Sequence, residues 1–201
     1  HGASALPPDY SRCLLSLSRG GADAAVVREF DLNTRSFVPG GFEIPESKSG
    51  MSWIDHDRVF VEFAFDSSTM TTSGYPRIIK EWKRGTPLAS ATPVFEGKLE
   101  DVSVRASRDL TPGFERDFVV RSPSFFTSEL YVRQGGRMVK IDKPDDAEAS
   151  PWREWLLVQL RSDWTVGGRT WPAGALLAAR FDDFIAGKRE FRMLFEPSER
   201  R

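Results

Sequence analysis

Apolar and polar positions alternate in short runs along most of this chain. Cys13-Leu14-Leu15-Ser16-Leu17-Ser18, Arg58-Val59-Phe60-Val61-Glu62-Phe63-Ala64-Phe65 and Glu129-Leu130-Tyr131-Val132-Arg133 are bounded by Gly, Pro, Asp and Ser. Period-two runs of this length predict strands. Only Gly174 to Gly187 places apolar residues (Leu177, Phe181, Phe184, Ile185) at helical spacing. Pro172 and Gly174 precede it as turn punctuation, which favours a strand over Ala175 to Arg180 and then one helical turn through Asp182 and Asp183. With 16 Gly, 13 Pro, 15 Phe and 6 Trp among 201 residues, helix breakers and β-preferring aromatics are scattered throughout. The chain reads as mainly β.

The runs repeat. Tight turns joining two β runs occur at Asn33-Thr34, Gly85, Gly135-Gly136 and Gly187, at steps of 52, 50 and 52 residues. After each comes an apolar-acidic stretch closing on Pro45, Gly97, Pro144 or Pro197, at steps of 52, 47 and 53. A period near 50 leaves room for four short strands. In the second period these fall at Met51 to Ile54, Arg58 to Phe65, Pro76 to Trp82 and Ala91 to Phe95. Four strands per repeat of this length predict the blades of a β-propeller, because one twisted sheet buries both apolar faces only between neighbours. The expected blades are 1–47, 48–98, 99–145 and 146–201. Closing a ring needs a device such as a disulfide or a strand exchanged between the ends. The single cysteine, Cys13, excludes the disulfide, and no terminal segment reads as an exchanged strand. Four blades of a larger ring is therefore at least as good a reading as a closed four-bladed one.

Composition narrows the chemistry. Lys and Arg (28) nearly balance Asp and Glu (29), so nothing favours nucleic acid or an anionic membrane as partner. No apolar run approaches the roughly 18 residues of a membrane span. One cysteine and two histidines argue against a metal site, and no cofactor motif is present. The opening His1-Gly2-Ala3-Ser4-Ala5-Leu6 has no Met, basic stretch or apolar stretch of a signal peptide, and reads as cut from a longer chain.

No G-x-S-x-G elbow occurs, and Ser18-Arg19-Gly20-Gly21-Ala22-Asp23 is a hairpin connection rather than a phosphate loop. His1 is terminal, while His56 lies in the turn Ile54-Asp55-His56-Asp57, where carboxylates favour its protonated form over a general base. No catalytic triad is present. The pairs Asp145-Asp146 and Asp182-Asp183 sit beside Lys or Arg and read as loop charge, although either is of a type that faces a cation or flanks a glycosidic bond. Trp82, Trp152, Trp155, Trp164 and Trp171, like Phe60, Phe63 and Phe65, are expected mainly to fill the space between blades. Cys13, in a predicted strand, is expected in the core. The hydroxyl-rich segment Asp66 to Pro76 is the best candidate for a mobile functional loop.

Longer strings carry a resemblance. S-L-S-R-G-G-A-D-A (Ser16 to Ala24), R-E-F-D-L (Arg28 to Leu32), T-S-G-Y-P-R (Thr72 to Arg77), E-W-K-R-G-T-P-L (Glu81 to Leu88), T-P-G-F-E-R (Thr111 to Arg116) and F-D-D-F-I-A-G-K-R (Phe181 to Arg189) appear in order over nearly the whole chain. They resemble the propeller region of bacterial members of the prolyl oligopeptidase family of serine peptidases. The resemblance implies four blades of a seven-bladed ring. It also implies, elsewhere in the parent, an α/β-hydrolase domain whose Ser-Asp-His triad cleaves short peptides after proline. The propeller would then cap the cavity and screen substrates. None of the triad maps onto this chain. Implied partners are the hydrolase domain, the remaining blades and short peptide substrates, with self-association through open blade faces. Phe60, Phe63, Phe65 and Tyr75 are the substrate-pocket candidates. The rival readings are an independent small propeller that binds a protein or peptide and, more weakly, a sugar-active propeller.

Overall fold

The computed structural model describes residues 2–198, so His1 lies outside the described residues. The fold is nearly all β, with four principal antiparallel sheets following one another along the chain. The first holds β1 (Gly2–Ala5), β2 (Arg12–Ser18), β3 (Ala25–Asp31), β4 (Ser36–Phe37) and β5 (Glu43–Ser47), the last two both pairing with β3. The second runs β6 (Gly50–Asp55), β7 (Arg58–Glu62), β8 (Ile78–Lys83), β9 (Thr92–Glu96). The third runs β10 (Ser103–Asp109), β11 (Arg116–Ser122), β12 (Glu129–Gln134), β13 (Arg137–Lys140). The fourth runs β14 (Glu148–Trp152), β15 (Trp155–Gln159), β18 (Leu176–Arg180), β19 (Arg192–Phe195). A separate hairpin, β16 (Trp164–Val166) and β17 (Arg169–Trp171), is inserted before β18. The short helix α1 (Phe181–Ile185) follows β18 directly, in line with the strand-then-turn expectation.

The repeating turns have a common place. Asn33-Thr34, Gly85, Gly135-Gly136 and Gly187 each lie where the chain leaves the third strand of a sheet for the fourth. Gly85, Gly136 and Gly187 have φ of 74°, 80° and 94°, backbone that a side chain would strain. The inserted hairpin has no counterpart in the other sheets and was not visible in the period, because it lies between the landmarks.

Three apolar clusters form the core, one between each successive pair of sheets. Leu14, Val27, Phe42 and Ile44 of the first meet Trp53, Val59, Val61 and Trp82 of the second. Ile54, Phe60 and Ile79 meet Val104, Ala106 and Val119 of the third. Phe118, Leu130 and Val132 meet Leu156, Val158, Leu177 and Ala179 of the fourth. Successive strand residues point to opposite faces, so Val59 and Val61 belong to one cluster and Phe60 to the next. A sheet buried on both faces gives a near-continuous apolar strand, which is why Val59-Phe60-Val61 carries no polar interruption. Trp82, Trp164 and Trp171 also pack in or against these clusters.

Polar groups also join the sheets. Trp53 Nε1 donates to the Ser4 carbonyl at 2.9 Å. Buried Glu29 in β3 receives Arg84 through both carboxylate oxygens at 2.8 and 3.0 Å, and Arg133 of β12 reaches Glu81 of β8 at 3.0 Å.

The end sheets each keep one apolar face uncovered. On the fourth, Trp152 is 59% and Leu194 56% exposed, beside a shallow cleft of about 300 Å³ lined also by Trp155, Leu157 and Ala178. On the first, Leu17 is 39% exposed, on the same face as the Phe30–Phe37 pair beneath Arg28. Trp152 and Trp155 thus depart from the expectation that the tryptophans fill the gaps between these sheets. Cys13 is buried on the same outward face of the first sheet, its neighbours there being Phe30 and Ala5.

Candidate functional site

An antiparallel meander alternates its connections between two ends. The links from second to third strand and from one sheet to the next share the crossover end; the other links share the opposite end. Contacts between loops confirm that the sheets run the same way. Thr72, between β7 and β8, donates its backbone N–H to Leu99, between the second and third sheets, at 2.7 Å. Lys48, between the first and second sheets, lies with its Nζ 4.9 Å from the ring centre of Tyr75.

The segment Asp66 to Pro76 lies at the crossover end. Asp66 caps a single 3₁₀ turn, Ser67–Thr69, and its Oδ1 accepts from Ser68 N at 2.8 Å and Ser68 Oγ at 2.6 Å. These bonds, the hydroxyl's foremost, hold the Asp66 carboxyl below its ordinary range. Thr71 N donates to the Tyr75 carbonyl at 2.7 Å around Gly74, whose φ of 79° closes the turn. Arg77 then pins the segment, its Nε and Nη2 donating to Ser68 O at 3.0 and 2.8 Å and its Nη1 to Gly97 O at 3.2 Å, beside an ion pair with Glu96. The Ser68, Thr69 and Thr71 hydroxyls, part of the composition that suggested a mobile loop, are spent on this internal bracing.

The four candidate aromatics divide. Phe63 and Phe65 lie beyond Glu62, where β7 ends three residues short of the predicted run, because the pairing with β8 stops there. Their rings meet edge to face at 4.9 Å, and Lys80 Nζ sits 3.9 Å from the centre of Phe65. Tyr75 is partly exposed with Lys48 over it. Phe60 is different. It is 0% exposed and packs between the second and third sheets, and its odd separation from Phe63, three residues, matches their packing on opposite sides of the second sheet. Phe63, Phe65 and Tyr75, with Lys48 and Lys80, are thus brought to one end, and Phe60 is not among them.

The same end carries features the sequence did not single out. Phe125 and Phe126, between β11 and β12, are 85% and 81% exposed. Their signal was two adjacent aromatics within Ser122-Pro123-Ser124-Phe125-Phe126-Thr127-Ser128, a turn composition with no partner strand for the rings. The sheet-joining pairs Glu29–Arg84 and Glu81–Arg133 also went unread, although 55 and 52 residues separate their members, close to one period.

Of the paired aspartates, three meet cations and Asp146 has no salt bridge among the described residues. Asp145 meets Lys140 at 3.1 Å, Asp182 meets Arg116 at 3.4 Å and Asp183 meets Lys188 at 2.8 Å. Among the described residues no group of three His, Cys, Asp or Glu side chains is placed to hold a metal ion. His56 is exposed, and its nearest acidic partner is Asp57 at 3.4 Å. Among the described residues no helix is long and apolar enough to cross a membrane.

Relatives of this arrangement are peptidases. An uncharacterized peptidase of Sinorhizobium fredii is 35% identical over 208 residues, covering 98% of this chain and 29% of the relative. An uncharacterized peptidase of Rickettsia prowazekii is 29% identical over 217 residues, covering 98% and 30%. A post-proline cleaving enzyme from Rickettsia typhi superposes with a TM-score of 0.89 at 29% identity, over 98% of this chain and 31% of that one. Over nearly its whole length the chain is similar to one part of these peptidases. A prolyl endopeptidase structure shares the fold at 16% identity and a TM-score of 0.70. No family model matches the chain. The chain spans 29% to 31% of the length of these relatives, less than a third of each.

Proposed function

We propose that this chain forms four blades (1–47, 48–98, 99–145 and 146–201) of a seven-bladed propeller in a prolyl oligopeptidase-like serine endopeptidase, where it gates substrate and performs no bond cleavage. The observation that carries this reading is the end-to-end match to the post-proline cleaving enzyme, which uses 98% of this chain and only 31% of that one. Uncovered apolar faces on the first and fourth sheets support it, since stacked sheets bury such faces against further neighbours. The same faces speak against an independent small propeller.

In this reading the hydrolase domain of the longer polypeptide supplies the triad, and its cleavage of short proline-containing peptides is a property of that whole. Stiff, cross-braced sheets limit the size of what reaches the nucleophile. Phe63, Phe65 and Tyr75 present apolar surface to a peptide, while Lys48 and Lys80 supply positive charge for its carboxylate. The experiment replaces residues 66–76 by a short Gly-Ser turn in the full-length polypeptide. It then compares hydrolysis of a five-residue and a thirty-residue unstructured proline-containing peptide. A gating role predicts a higher long-to-short rate ratio after replacement. An unchanged ratio, with short-peptide turnover intact, would reject it.

A further inference from the structure

At the opposite end lies a groove of about 650 Å³, within the range of small-ligand sites. It is built by the first connections of three successive sheets. Leu6, Pro7, Ile54 and Leu110 supply apolar lining, with Leu6 and Ile54 only 6% and 1% exposed, so the floor is continuous with the packed interior.

The rim is charged unevenly. Asp55 is taken by Arg58 at 2.9 and 2.7 Å, and Arg108 by Asp117 at 2.6 Å. That leaves Asp9 and Glu115, carried by different sheets, with no lysine or arginine partner among the described residues, although His56 also lines the groove near Asp9. Both carboxylates are held in place. Asp9 accepts from Ser11 Oγ at 2.8 Å and Ser11 N at 3.2 Å; Glu115 Oε2 accepts from Gly113 N at 3.1 Å. Two oriented carboxylates without an arginine or lysine partner thus share one groove with an apolar lining.

We propose that this groove is a second binding site, for a short peptide segment carrying a cationic side chain next to an apolar one. The cation meets Asp9 and Glu115; the apolar side chain covers Leu110 and the Leu6–Ile54 floor. Charge complementarity selects this occupant over an acidic peptide, which would place like charges together. This site is separate from the crossover-end aromatics and does not rest on the peptidase reading.

The test titrates acetyl-Leu-Lys-Leu-amide and acetyl-Leu-Glu-Leu-amide into the protein, followed by amide chemical shifts. The lysine peptide should move the signals of residues 9, 56 and 113–115 and bind at least about tenfold more tightly than the glutamate peptide. Asp9→Asn with Glu115→Gln should erase most of that preference. Both side chains are exposed, and near-UV circular dichroism checks that the fold is kept. Equal affinity for the two peptides, undiminished preference in the double variant, or no binding of the lysine peptide at these residues would each overturn the proposal.

Discussion

Glu62 of β7 accepts a hydrogen bond from the backbone N–H of Ala106 in β10 at 2.8 Å, across the junction of the second and third sheets. The carbonyl of the same Ala106 accepts from Ser52 Oγ at 2.9 Å, so both polar groups of one edge position are satisfied by the neighbouring sheet. Burial is the main influence on the Glu62 carboxyl and pushes it up to about 7, against the Ala106 N–H and the charge of Arg105.

A pH dependence follows from that position. A carboxyl whose folded value lies above its unfolded one is most favourable to folding while protonated. Its contribution is full below about pH 4.5 and is lost as pH rises through 7, amounting to up to about 3 kcal/mol. Glu129 does not blur this window. Burial raises it, yet hydrogen bonds from Lys140, Tyr131 and Arg121 hold it down to about 2, so it stays ionised. Urea midpoints measured from pH 5 to 8 should fall for the native chain, and Glu62→Gln should flatten that fall. A native profile already flat over this range would contradict the assignment.

Arg84 neutralises Glu29, which is 2% exposed and also accepts from Phe42 N at 3.0 Å. Arg84→Ala leaves a buried carboxylate alone and should cost about 3–5 kcal/mol in urea unfolding. Adding Glu29→Gln should recover part of that loss. Equal destabilisation by the single and double variants would show that stacking of the Arg84 guanidinium over Phe42, at 4.5 Å, matters more than its pairing with Glu29.

Phe60 and Phe65 should separate stability from substrate handling. Phe60→Ala empties a site with no exposed surface and should cost about 3–5 kcal/mol. Phe65→Ala should cost less than about 2 kcal/mol, and in the full-length polypeptide it should raise KM for short proline-containing peptides with kcat nearly unchanged. A KM unmoved by Phe65→Ala would remove this ring from the proposed site.

The uncovered faces predict association of the isolated chain. Sedimentation equilibrium should find dimers or larger species, and Leu17→Lys with Leu194→Lys should shift them toward monomer. A native chain that stays monomeric at high concentration would argue that these faces need no neighbour.

Much of this fold could be read in the sequence because its physics is local. Two-residue alternation located strands such as β2 and β12, and the glycines that close third-to-fourth strand turns marked the sheets, since those turns need positive φ. Phe60 was legible by the same rule. It stands three and five residues from Phe63 and Phe65, odd separations that no single strand face holds, and the end of β7 at Glu62 then takes the later two out of the strand. The inter-sheet pairs were not legible. Glu29 and Arg84 become partners only once two sheets stack, and each alone reads as ordinary surface charge. The groove beneath Asp9 and Glu115 is assembled from three separate connections, which no single stretch of sequence displays.

The most direct test of a gating part without chemistry is hydrolysis of a chromogenic Gly-Pro substrate by the purified chain and by the full-length polypeptide, each with and without a serine-directed covalent inhibitor. The account predicts no turnover by the chain and inhibitor-sensitive turnover by the full-length polypeptide. Inhibitor-sensitive turnover that copurifies with the 201-residue chain itself would contradict it.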